Sequence, residues 1–146
     1  MKWGLVCSAS VKKSVSLAKD IYDFLSEHDT VLVEKSLAEK CDLNGSSFNE
    51  LNNKADVVVT VGGDGTIIRT LRDVEKPIFA INSGGMGFLS EVESKYAMNG
   101  LKQVISGKYN VEQRSKIQVN LNDTRLPDAA NEVTVQTAQI AKIMYF

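Results

Sequence analysis

The chain has 146 residues, enough for one ordinary domain and part of another. With 43% hydrophobic and 24% charged residues it can build a core and does not have the composition of a disordered chain. A formal net charge of -1 provides no global field toward nucleic acid or an anionic membrane, so any anionic ligand must be held by local groups.

Trp3 to Cys7 is an apolar run that reads as a buried first strand. It is too short for the apolar region of a signal peptide. Ser8-Ala9-Ser10 offers helix N-cap residues. From Val11 the apolar positions fall at helical spacing, through Val15, Ala18, Tyr22 and Leu25, with Leu17, Ile21 and Phe24 widening the stripe. Lys12, Lys13, Lys19 and Asp20 take the solvent side, and His28, the only histidine, closes this helix beside its dipole. Thr30 to Val33 is a second short strand. Glu34 to Glu50 is polar and mixed, so weak order is expected there. Within it Leu37–Lys40 can form one helical turn and Asn44–Ser47 a turn. Phe48 and Leu51 can anchor a short helix.

Val57 to Val61 is a continuous apolar run, read as a buried strand. It leads into Gly62-Gly63-Asp64-Gly65-Thr66, after which a helix is expected through Asp73. Lys76-Pro77 breaks the pattern, and Ile78–Ile81 reads as a further strand entering a second glycine-rich stretch, Asn82 to Leu89. Glu93 to Ile105 reads as helix, with Gly107 as its stop. From Tyr109 onward alternation replaces helical spacing. Asn122-Asp123 reads as a hairpin turn, with more strands at Ala130–Thr137 and Ile140–Phe146. Residues 1–107 therefore predict an α/β domain with a Rossmann-like parallel sheet, and 108–146 the first antiparallel strands of a β-rich second domain. The run to Phe146 is expected to continue in a longer protein, or to pair with another copy.

Cys7 and Cys41 have no metal-ligand spacing and read as buried thiols of a reducing compartment. No run approaches the roughly 18 apolar residues of a membrane span. A cytoplasmic protein with neither nucleic acid nor membrane as partner is expected.

The glycine loop carries the chemistry. Gly62, Gly63 and Gly65 permit positive φ and close backbone approach, at the carboxyl end of a strand where α/β sheets bind ligands. Strand, glycine turn and helix together bring amide N–H groups against phosphate oxygens. Asp64 beside such a cradle repels phosphate unless a metal intervenes or it takes a proton, and in phosphoryl transfer an aspartate does the latter for the attacking hydroxyl. A plain turn with Asp64 bonding its own backbone is the competing reading. No Gly-Lys-Ser/Thr is present, so this is not a P-loop. Gly85-Met86-Gly87 lacks the third glycine of a dinucleotide fingerprint, with Ser90 in its place.

Gly62-Gly63-Asp64-Gly65-Thr66 resembles the motif shared by NAD kinases, diacylglycerol and sphingosine kinases and 6-phosphofructokinases. Asn82-Ser83-Gly84-Gly85-Met86-Gly87-Phe88-Leu89 resembles the Asn-x-Gly-x-x-Gly-Phe-Leu pattern of the NAD kinases, and Asn131-Glu132 their Asn-Glu pair. The three occur in the family's order. The resemblance implies transfer of the γ-phosphoryl of ATP to the 2′-hydroxyl of the adenosine ribose of NAD, with Mg²⁺ or another divalent cation. Asp64 would be the catalytic base. Gly62, Gly63, Gly65 and Thr66 would shape the phosphate and dinucleotide site, and Arg69 would contact the dinucleotide. Asn82 and Phe88 would line the adenosine pocket, Asn131 and Glu132 would bond ribose or base, and Lys142 would be a basic contact. A homo-oligomer is implied too, with contacts from a neighbouring subunit. The family's later Asp-Gly segment and Ser-Thr-Pro-Thr-Gly-Ser-like loop do not occur in this sequence, and Met86 stands where Leu is usual. A lipid or sugar kinase of the wider group and a non-catalytic nucleotide-binding fragment are the alternatives.

Overall fold

The computed structural model describes residues 1–84, 87 and 89–135. The chain divides into two units, Met1–Gln113 and Arg114–Phe146. In the first, six strands form one parallel sheet in the order β3-β2-β1-β4-β5-β6: Trp3–Cys7, Val31–Glu34, Gly45–Ser46, Val57–Gly62, Ile78–Asn82 and Val92–Glu93 as β1 to β6. The chain steps outward from β1 to β3, crosses back to β4, and steps outward the other way. That reversal between β1 and β4 is the switch point of dinucleotide-binding sheets, where a crevice opens at the carboxyl ends.

Every residue of β1 and β4 is buried, as expected for central strands covered on both faces. The period of two divides them cleanly. Trp3, Leu5 and Cys7 with Val57, Val59 and Val61 face Ala18, Ile21 and Leu25 of α1 (Lys12–Ser26), Leu37 of α2 (Lys35–Cys41) and Leu101 of α5 (Ala97–Ile105). Val6 and Val58 face the other side, with Leu51 of α3 (Phe48–Lys54) and Val74 at the end of α4 (Asp64–Asp73).

Several expectations are corrected. Glu34–Glu50 is well ordered: β2 ends on Glu34, and α2, β3 and the start of α3 follow. Here local hydrogen bonding outweighs weak periodicity, since α3 opens on a capping box between Ser47 and Glu50. Ser8–Ser10 do not cap α1, whose N-cap is Val11 with no side-chain bond. The helix ends at Ser26, two residues before His28, and the His28 ring packs on Phe24 at 5.0 Å between centroids. Helix α4 starts at Asp64, so Gly65 lies inside its first turn, and none of Gly62, Gly63 and Gly65 takes a positive φ. The stretch from Glu93 is the end of β6 and a 3₁₀ turn, Ser94–Tyr96, before α5. Gly107 does stop α5, with φ +72°. In the second unit β7 (Ile117–Leu121) and β8 (Thr124–Ala129) pair antiparallel about Asn122, so alternation starts a strand at Ile117 rather than Tyr109. Residues 130–135 are not strand, and the expected strand at Ile140–Phe146 lies outside the described residues. No helix among the described residues is long and apolar enough to cross a membrane.

Candidate functional site

Strands β4 and β5 are parallel neighbours, Gly62 pairing with Asn82, so both glycine-rich loops leave the same edge of the sheet side by side. The Ser83 amide donates to the Gly62 carbonyl (3.2 Å) and ties the two exits together. Under them the Ser83 and Ser14 hydroxyls bond at 2.7 Å, anchoring the second loop to α1.

Asp64 opens α4 with Gly63 as N-cap. Its Oδ1 accepts from the Leu89 amide at 3.2 Å. A Cβ on Gly87 would stand 2.6 Å from the same oxygen, so the second loop closes directly on this carboxylate. Asn82 folds its own turn, accepting from the Gly84 amide at 2.9 Å. A Cβ on Gly62 would stand 2.9 Å from Cβ of Thr66, which holds the loop close to its helix. At Gly63 and Gly65 an added Cβ would meet nothing within 4 Å. Their backbone faces open space at a helix N-terminus, which suits a phosphate.

Arg69 extends from α4 toward β1. Its Nη2 donates to the Cys7 carbonyl (3.2 Å) and lies 3.9 Å from Oε2 of Glu34, while its guanidinium carbon sits 5.4 Å from the Phe48 ring centroid. The Glu34 carboxylate also accepts from Ser36 Oγ. Burial pushes the Cys7 thiol up to about 11, with the Cys41 and Glu34 charges adding and Arg69 opposing. The two cysteines, distant in sequence, border the same apolar cluster.

Gly62, Gly63, Asp64, Gly65, Thr66, Arg69 and Asn82 therefore gather at one edge of the sheet. Asn131 and Glu132 belong to the second unit, exposed beyond β8. Phe88 and Lys142 lie outside the described residues. Among the described residues no three His, Cys, Asp or Glu side chains gather around one point. The carboxylate at hand is Asp64. Mg²⁺ is ordinarily held by substrate phosphates with one or two carboxylates, so this arrangement fits a cation that arrives with its nucleotide. Glu34 escaped the sequence reading, although an acidic residue closing an apolar strand one crossover after β1 is the available signal.

Residues 3–109 match the family of the ATP-NAD kinase N-terminal domain. The chain belongs to the NAD kinase family. It is 32% identical over 146 residues to the NAD kinase of Thermoplasma acidophilum, covering 100% of this chain and 53% of that protein. It thus spans about half the length of the curated relatives it matches. The fold matches yeast NADH kinase complexed with NADH at a TM-score of 0.78, with 20% identity, covering 90% of this chain and 47% of the other. It also matches an NAD kinase from Archaeoglobus fulgidus in complex with ATP, at a TM-score of 0.53 and 26% identity, covering 81% and 41%. These likenesses favour the NAD kinases over the lipid and sugar kinases that share the first glycine loop.

Proposed function

We propose that the protein containing this chain transfers the γ-phosphoryl group of ATP to the 2′-hydroxyl of the adenosine ribose of NAD, giving NADP. One observation carries the reading: the Asp64 carboxylate of the first glycine loop accepts a hydrogen bond from the Leu89 amide of the second, where Gly87 leaves it room. A base fixed in that way can be held against one particular hydroxyl. Asp64 accepts the proton of the 2′-hydroxyl as its oxygen bonds to the γ-phosphorus, the bridging P–O bond to the β-phosphate breaks, and ADP leaves. Gly62, Gly63, Gly65 and Thr66 cradle phosphate, and Arg69 offers it a cation. Asn82 and Phe88 line the adenosine pocket, Asn131 and Glu132 bond ribose or base, and Lys142 adds a basic contact. Mg²⁺, where bound, offsets phosphate charge.

In the intact protein Asp64→Asn is expected to lower NAD turnover by about 10²–10⁴-fold, the usual contribution of a general base, with NAD binding retained. Undiminished turnover would remove Asp64 from the chemistry. A panel of NAD, diacylglycerol and fructose 6-phosphate tests the acceptor. The 146-residue chain is expected to be inactive by itself, and NADP formation by it would exclude a purely non-catalytic module. We read residues 108–146 as the opening of a β-rich second domain. The free thiols Cys7 and Cys41 agree with a cytoplasmic location. A homo-oligomer, checked by sedimentation, completes the proposal.

A further inference from the structure

We infer that Ser14 of α1 is a positioning residue for the second glycine-rich loop, and that through its bond to Ser83 it sets the Asn82 turn and the affinity for the acceptor dinucleotide. Helix α1 buries Ser14, Ala18, Ile21 and Leu25 along one stripe, and Ser14 is the polar member of it. The other three join the apolar cluster against the sheet. Alanine at that position would complete the stripe, whereas a buried hydroxyl loses its water and has to be bonded. Ser14, 1% exposed, finds its partner outside its own helix, in the Ser83 hydroxyl at 2.7 Å. Strand parity supplies that partner. Phe79 and Ile81 of β5 pack on the α1 side of the sheet, so Ser83, two residues beyond Ile81, comes to the same side at the carboxyl edge. The first turn of α1 lies at that edge because the helix begins soon after β1 ends.

The two ends of the loop are held by different groups. At its start the Asn82 side chain accepts from the Gly84 amide and shapes the turn. Ser83 ties that start to the rest of the fold twice, its amide donating to the Gly62 carbonyl and its hydroxyl bonding Ser14. At the far end the Leu89 amide bonds Asp64, and the Glu91 amide donates to the Ala80 carbonyl at 3.1 Å. Among these ties the Ser14 hydroxyl is the one contributed from outside both glycine loops and β5. It acts at the Asn82 end, on the wall that the proposed function gives to adenosine. The first loop is shaped instead by its own helix, through the close approach of Gly62 and Thr66. A loop already ordered at Asn82 leaves less ordering to be done on binding, which raises affinity. Ser14 therefore serves the acceptor and not the donor, and it does so through Ser83 rather than by contact.

The inference rests on the proposed reaction for the identity of the ligand, and the experiment separates the two. Ser14→Ala, Ser83→Ala and the double variant are made in the intact protein. NAD and ATP binding are measured by calorimetry, beside melting temperature and hydrogen exchange of peptides spanning Asn82 to Glu91. Each single change leaves one buried hydroxyl unpaired and should lower the melting temperature, and the double change, which removes both, should bring it back toward wild type. NAD affinity should nevertheless stay about fivefold weaker in the double variant, the fold-change of one neutral hydrogen bond. ATP affinity should be unchanged and exchange in the loop faster. A pair with a merely structural role would regain NAD affinity together with stability. That recovery, an equal loss of ATP affinity, or a double variant that melts as low as the single ones would overturn the inference. Failure of the kinase reading would show differently, as a wild-type protein that neither binds NAD nor makes NADP. Loop exchange then decides: faster exchange at a recovered melting temperature keeps the positioning role, and wild-type exchange removes it.

Discussion

Gly87 has no room for a side chain: a methyl group there would stand 2.6 Å from Asp64 Oδ1. Gly87→Ala is therefore expected to push the carboxylate out of place. A misplacement of this size can cost about a hundredfold in kcat, and a melting curve close to wild type would show that the fold survives. Cys7 is governed by burial. Its folded pKa, pushed up to about 11, lies above the ordinary 9.0. A raised value means stabilisation fully present below pH 9 and lost as pH rises toward 11. Stability measured by chemical denaturation across that range should fall in the wild type and stay flatter in Cys7→Ala. Iodoacetamide near neutral pH should label the partly exposed Cys41 before Cys7.

At the scale of elements, the sequence reading misplaced the start of α4 because glycine usually marks turn rather than helix. Gly65 lies in the first turn with open space where a Cβ would go, so packing does not require glycine there. Gly65→Ala is expected to raise stability by up to about 1 kcal/mol through helix propensity. The same methyl group would fill open space that the proposed function gives to a phosphate, so on that proposal nucleotide affinity should drop. Equal affinity in the variant would separate this glycine from the ligand. Helix α3 shows the converse error, a polar stretch held by its cap. Ser47 Oγ accepts from the Glu50 amide (3.2 Å), and Glu50 Oε2 accepts from the Ser47 amide (2.9 Å). Ser47→Ala should cost about 1 kcal/mol in chemical denaturation. The Ser47 backbone bond, with the Ser47 hydroxyl and Lys54, holds the Glu50 carboxyl below its usual 4.5. The contribution of that cap is therefore present above pH 4.5 and lost as pH falls. At the other end of the first unit, Gly107 closes α5 with bonds from the Gly107 amide to Val104 and from the Lys108 amide to Gln103, a left-handed stop of the kind its glycine foretells.

For the whole molecule, the two units differ in how much they bury. The first covers both faces of its sheet with helices. The second leaves Ile117 48%, Leu121 62% and Val135 64% exposed on and beyond a two-stranded hairpin, and an isolated pair of strands is marginally stable in water. Hydrogen exchange should report this directly. Amides of β1 and β4 should exchange only on global unfolding, and those of β7 and β8 far sooner. Equal protection in both units would show that the hairpin apolar face is covered in solution.

The sequence alone determined what local pattern can carry. Continuous apolar runs gave the central strands, helical spacing gave α1, and the glycine stretches gave the loops at the carboxyl edge. It did not place β1 beside β4, nor bring Arg69 against a carbonyl 62 residues away, nor set Glu34 within 3.9 Å of that guanidinium. Periodicity records which face of an element is buried, whereas the neighbour it is buried against depends on the direction of each crossover. That choice is made only when the sheet assembles, and the crevice between β1 and β4 exists because of it.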